Sequence, residues 1–260
     1  MEERDRGLSD VIAFTLMFAI IIAAVAAVAT VGVDQLTELR DREQINSAER
    51  AMEGFAATVD DIHRHGDPFR VVALSLGNGG IWVQESTISV STPGTAVEIP
   101  VNSLRHRLDG NAGAVTISYE AGGVFRSDGA GASYEPRVAC SPSTGTAVVS
   151  VVNLTTGDSI DIAGGSSSRP LIDPLEVPGD APARDTEQNV RLRASSLSTW
   201  SRSLSTTGGV SVNVSETATP EQWAMSFESA EGWTATGNRT FTCTAADTVL
   251  VRNTTIRLSR

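Results

Sequence analysis

The sequence predicts an α+β fold: a long, partly transmembrane N-terminal helix followed by a mainly antiparallel β-sandwich. Three observations predict it. Residues 11–33 contain no charged side chain. Residues 34–66 carry apolar side chains at steps of three and four. Beyond residue 67 the period changes, and short segments rich in Val, Ile and Thr alternate with turn residues. The expected organisation is a leader stub at 1–7, a transmembrane and assembly helix at 8–33, an amphipathic extension at 34–66 and a β-rich domain at 67–260.

The apolar run comes first. Its only side-chain hydrogen-bonding groups are Thr15 and Thr30, and about 20 apolar residues span a bilayer as a helix. Three fates are open to it: a removable secretory signal, a retained single-span anchor, or a segment exposed by cleavage between Gly7 and Leu8. The stub sets Glu2, Glu3 and Asp5 against Arg4 and Arg6, unlike the basic start of an ordinary signal. The text also runs on without a break. Leu36, Leu39, Ile45, Ala48, Met52, Phe55, Val59 and Ile62 form one stripe, and Gly66 before Asp67-Pro68 is a stop. The segment therefore reads as one helix from Leu8 to His65, about 85 Å long at 1.5 Å per residue.

The later segments, among them FRVVALSL, GAVTISYE, TAVVSVVNL and DTVLVRNTTIRLS, read as sandwich strands. One helix interrupts them: Thr219 as N-cap, Pro220 at the first position and Gln222 at the third predict a start there. Residues 164–185, rich in Gly, Ser and Pro, read as a long loop.

Composition bounds function. The net charge is −11, with 31 acidic against 20 basic residues, all of the latter Arg. That balance excludes a nucleic-acid-binding surface, which needs basic stripes. A lysine-free acidic chain is expected of a salt-loving archaeon, where screening within ~3 Å makes crowded carboxylates cheap; a GC-rich genome gives the same exchange of Lys for Arg. The two cysteines, Cys140 and Cys243, are either one disulfide or two buried thiols.

Chemistry-bearing patterns are sparse. His63-Arg64-His65 ends the long helix, where cations suit the dipole; with His106 these are the 3 histidines. No nucleophile elbow, zincin, P-loop or C-x-x-C pattern is present, so neither a catalytic residue, a metal site nor a cofactor is expected, and an enzyme is the least favoured class. Asp-Gly sequences at 109–113 and 128–133 read as hairpin turns before calcium loops. Trp82, Trp200, Trp223 and Trp233 are core residues or a sugar-stacking surface. Asn153, Asn213, Asn238 and Asn253 each open an N-x-[ST] sequon, the acceptor pattern of a glycoprotein.

A charged stub ending in Arg6-Gly7, an apolar helix, its amphipathic extension and a β-rich remainder resemble the type IV pilin superfamily, archaeal pilins and archaellins included. The likeness is specific over residues 1–66 and architectural afterwards. It implies a class III signal peptide cut after Gly7 by a prepilin-type peptidase, placing Leu8 at the mature N-terminus. It also implies membrane retention, assembly with other pilin-like subunits into a surface filament, and an extracellular β-domain for adhesion or assembly. Pilins of bacteria carry Glu at the fifth mature position; here that position is Ile12, and Asp10 is the candidate assembly carboxylate. The alternative expectation is a single-pass membrane-anchored cell-surface binding protein that does not polymerise.

Overall fold

The computed structural model describes residues 2–76, 79–110, 113–129, 131–157, 160–163 and 189–259, with the side chains of 2–11, 27–34 and 161–163 left aside. Helix α1 (Glu2–His65) is followed by strands β1 (Phe69–Ser75), β2 (Gly80–Gln84), β3 (Thr87–Thr92), β4 (Thr95–Pro100), β5 (Ser103–Gly110), β6 (Gly113–Glu120), β7 (Gly123–Arg126), β8 (Ala132–Tyr134), β9 (Arg137–Ser141), β10 (Thr146–Thr156), β11 (Asp161–Ala163), β12 (Asn189–Ser205) and β13 (Val210–Asn213). Helix α2 (Pro220–Ser229) and strands β14 (Thr234–Gly237), β15 (Thr240–Cys243) and β16 (Thr248–Ser259) complete the order. The chain divides into two compact units, Met1–Gln44 and Ile45–Arg260.

In the second unit, α1 packs by the stripe its sequence carries. Ala48, Met52, Phe55, Val59 and Ile62 are buried, at steps of three and four. They join Leu74, Ile81, Leu104, Leu192 and Ile256 in one core, where the Phe55 ring meets Tyr119 edge-on at 5.1 Å. Each such side chain contributes about 1.5–3 kcal/mol on burial. Gly66 stops the helix: at φ +73° its N–H donates to the Ile62 carbonyl at 3.1 Å, a left-handed geometry that suits glycine.

The strands form three sheets, ordered β1-β12-β16-β10-β9, β11-β2-β5-β6-β7-β8 and β14-β15-β13-β3-β4. A second core lies around α2, where Phe227 stacks on Phe241 at 4.7 Å and meets Trp233 at 5.0 Å, while Trp223 packs on Phe125 at 5.0 Å. Cys140 on β9 and Cys243 on β15 are joined by a disulfide across this core, which links the first sheet to the third. Gly232, at φ +83°, leaves room for it, since a Cβ there would stand 2.7 Å from Cys140 Sγ.

This architecture corrects the expected fold class. The β region is not a two-sheet antiparallel sandwich: three sheets are present, and the longest pairing of β10, with β16, is parallel over Thr146–Thr156. Parallel neighbours need a long crossover, and the chain between Thr156 and Thr248 supplies it, adding β12 to the same sheet, β11 to the second and β13, β14 and β15 to the third. The transmembrane assignment is corrected as well. Among the described residues no helix is long and apolar enough to cross a membrane. With that assignment goes the expectation of a single-pass membrane localisation. The expected stripe also stops short, since Leu36 and Leu39 are 69% and 57% exposed.

Candidate functional site

In the first unit, Ile12, Phe14, Leu16, Met17, Phe18, Ile20, Ile21, Ile22 and Val25 are 52–70% exposed. At 100° per residue these positions go round the whole helix rather than along one face. A helix that is hydrophobic all round is a buried element in its working state, and a patch of this kind marks an interaction surface. Arg6, Gly7, Leu8 and Asp10, the candidate processing and assembly residues, have side chains outside the described ones.

In the second unit, the end of α1 meets strands β9, β10 and β16 at a cleft of about 690 Å³. His63 forms its floor. The ring is 3% exposed, with Nε2 2.7 Å from Ser150 Oγ on β10 and Nδ1 2.7 Å from Thr254 Oγ1 on β16. Thr254 Oγ1 is in turn 3.0 Å from Thr199 Oγ1 on β12. Burial lowers the His63 pKa to about 4, and the Arg252 guanidinium adds to the effect. His63 is therefore neutral at ordinary pH. The reading of His63-Arg64-His65 as a cationic helix end fails at its first member, because the stripe that buries Val59 and Ile62 turns His63 inward too.

Three arginines line the cleft: Arg64, Arg137 and Arg252. Arg137 donates through Nε and Nη2 to the two oxygens of Asp60, at 2.9 and 3.0 Å. Arg64 reaches the same carboxylate at 2.7 Å. Arg252 donates to the His63 carbonyl at the end of α1, where orphan carbonyls need donors. Hydrogen bonding to Asp60 raises the Arg137 pKa, and burial raises that of the Glu135 carboxyl at the rim.

Ser150 and His63 have the reach of a nucleophile and its base. The rest of the arrangement opposes that use. Nδ1 faces a hydroxyl rather than a carboxylate, and burial and Arg252 disfavour the imidazolium that a general base must become. His63 instead works as a neutral joint between helix and sheet.

The remaining candidates fall into place singly. Among the described residues no group of three His, Cys, Asp or Glu side chains can hold a metal ion. Asp109 pairs with Arg107 at 3.0 Å and Asp128 with Arg126 at 2.6 Å, so both Asp-Gly carboxylates serve arginines; residues 111, 112 and 130 of those segments lie outside the described ones, as does the 164–185 loop. His106 is buried, with Nε2 3.1 Å from the Leu76 carbonyl. Trp223 and Trp233 are core residues, whereas Trp82 and Trp200 are half-buried beside Arg105 and Arg202. Of the sequons, Asn153 and Asn253 are buried, and Asn213 spends its amide on Thr240 Oγ1 at 2.8 Å. Asn238 alone among them is exposed.

Sequence reasoning missed Asp60, Arg137 and Arg252, because no spacing relates residues on a helix and two strands joined only in space. It also missed Glu120. This fully buried carboxylate on β6 accepts from Ala218 N at 2.7 Å, Thr219 Oγ1 at 2.7 Å and Trp223 Nε1 at 3.0 Å. Thr219 stands at the expected N-cap position of α2 but makes no side-chain cap bond, its hydroxyl donating to Glu120 instead, and Gln222 turns to the Ser127 carbonyl.

Two comparisons return nothing: no curated protein and no solved structure matches this chain. A family profile does match, over residues 6–259, and its description is a family of unknown function, DUF7289.

Proposed function

The chain belongs to DUF7289, a family of unknown function, and we propose that it is a pilin-like filament subunit whose N-terminal helix is the assembly element. The observation that carries this reading is the exposure of apolar side chains all round residues 12–25. A bundle of identical helices hides such a surface, and a contact that repeats head to tail gives a filament rather than a closed ring. The same helix carries the stripe from Ala48 to Ile62, which is buried in the core of the second unit. The Cys140–Cys243 disulfide suits an oxidising environment.

Processing belongs to the same proposal. Cleavage between Gly7 and Leu8 removes the charged stub and frees an apolar N-terminus, with Asp10 left as its first carboxylate. The test is the intact mass and N-terminal sequence of the full chain made together with a prepilin-type peptidase. A chain starting at Leu8, with uncut precursor accumulating for Gly7→Phe, is the expected result. A chain that keeps its N-terminus under these conditions overturns the pilin-like reading.

A further inference from the structure

We propose that the cleft between the end of α1 and strands β9, β10 and β16 is a binding site for a small carboxylate-bearing molecule, held by Arg252 and Arg137. The proposal is independent of filament assembly.

Its first support is the charge balance. A chain of net charge −11 places three guanidinium groups on one cleft, where Asp60 pairs with two of them and Glu135 is the one carboxyl on the lining. Asp60 already divides its oxygens between Arg137 and Arg64. Among the described residues Arg252 has no carboxylate partner; one of its nitrogens serves the His63 carbonyl, and the others remain to donate. A guanidinium fixed at one end by a backbone carbonyl presents a planar fork, the geometry that takes a carboxylate through two parallel bonds.

The second support is the shape and chemistry of the walls. The volume, about 690 Å³, lies within the roughly 300–1,000 Å³ typical of small-molecule sites. Val138 and Val148 give an apolar side, and the hydroxyls of Ser150 and Tyr134 give polar points on it. The ligand class is therefore an organic acid with a body that has both apolar and hydroxyl faces. A singly charged acid fits better than a dianion, because Asp60 and the rim carboxyl of Glu135 repel a second negative charge. His63 stays neutral beneath the site and adds no cation of its own.

The experiment is calorimetric titration of the full chain with sodium glucuronate, with glucose and inorganic phosphate as comparisons at constant ionic strength. Glucuronate is expected to saturate, glucose to give no saturable heat, and phosphate to bind at least about tenfold more weakly. Arg252→Gln is expected to weaken glucuronate about tenfold or more, while Arg191→Gln, exposed on β12, leaves it unchanged. Should Arg252→Gln fail to fold by circular dichroism, Val148→Trp fills the cleft without touching the ion pairs and is expected to abolish binding. Absence of saturable glucuronate binding overturns the proposal, as does binding that survives both the Arg252 and the Val148 change. Phosphate binding as tight as glucuronate overturns the carboxylate assignment.

Discussion

Acidification is expected to loosen the joint at His63 before it touches the carboxylate pairs, and the size of the effect follows from burial. The ring sits at a pKa of about 4 in the folded chain, against 6.5 for an ordinary histidine. The unfolded chain therefore binds a proton that the folded chain refuses throughout this window. The contribution is fully present above pH 6.5 and is lost as pH falls towards 4. At about 1.4 kcal/mol per pH unit, the loss accumulates to roughly 3 kcal/mol, and to about 2 kcal/mol by pH 5. Glu135, raised by burial, acts in the opposite sense, so the His63 share must be isolated by difference. His63→Gln keeps a hydrogen-bonding group beside Ser150 and Thr254 and removes the titration. Urea unfolding of both chains from pH 8 to pH 4.5 is the assay. The stability of the native chain relative to His63→Gln is expected to be flat above pH 6.5 and to decline below it. A flat difference, or one that grows on acidification because Asp60 holds an imidazolium, refutes the reasoning.

Further expectations concern the second unit. Reducing Cys140–Cys243, or replacing both by Ser, reopens a loop of sequence separation 103 and is expected to cost about 2–5 kcal/mol, read as a fall in the urea midpoint. Glu120→Gln places an amide nitrogen where Ala218 N, Thr219 Oγ1 and Trp223 Nε1 all donate. It is expected to cost about 1–3 kcal/mol, with a change in tryptophan fluorescence from the loosened Trp223; unchanged stability refutes the anchoring role of Glu120. In a glycosylating host, glycopeptide mapping is expected to find any glycan at Asn238 and none at the buried Asn153 and Asn253; occupancy of Asn253 contradicts the placement of β16.

Local pattern was legible in the sequence, and pairing was not. The stripe from Ala48 to Ile62 is read directly from the helical period, and Gly66 before Asp67-Pro68 ends α1 where the turn chemistry says it must. Segments such as GAVTISYE and TAVVSVVNL are strands because β-branched residues alternate along them. Strand β5 was not legible: Arg105, Arg107 and Asp109 fill one face and the buried His106 interrupts the other. The parallel contact of β10 with β16 and the split into three sheets depend on which strands meet after long connections, which alternation does not encode. Thr219 holds the N-cap position of α2 as expected, but its capping bond is missing because Glu120, distant in sequence, takes the Thr219 hydroxyl. The long apolar run suggested a membrane span by composition, whereas among the described residues no helix is long and apolar enough to cross a membrane.

Self-association of the chain cut after Gly7 tests the central claim most directly. Sedimentation velocity and negative-stain microscopy would follow that chain beside an Ile20→Arg variant, which places a charge in the middle of the apolar stretch. The account predicts concentration-dependent growth into filaments for the first and a monomer with an unchanged second unit for the second. A monomer in both cases, with residues 12–25 left exposed, would contradict it.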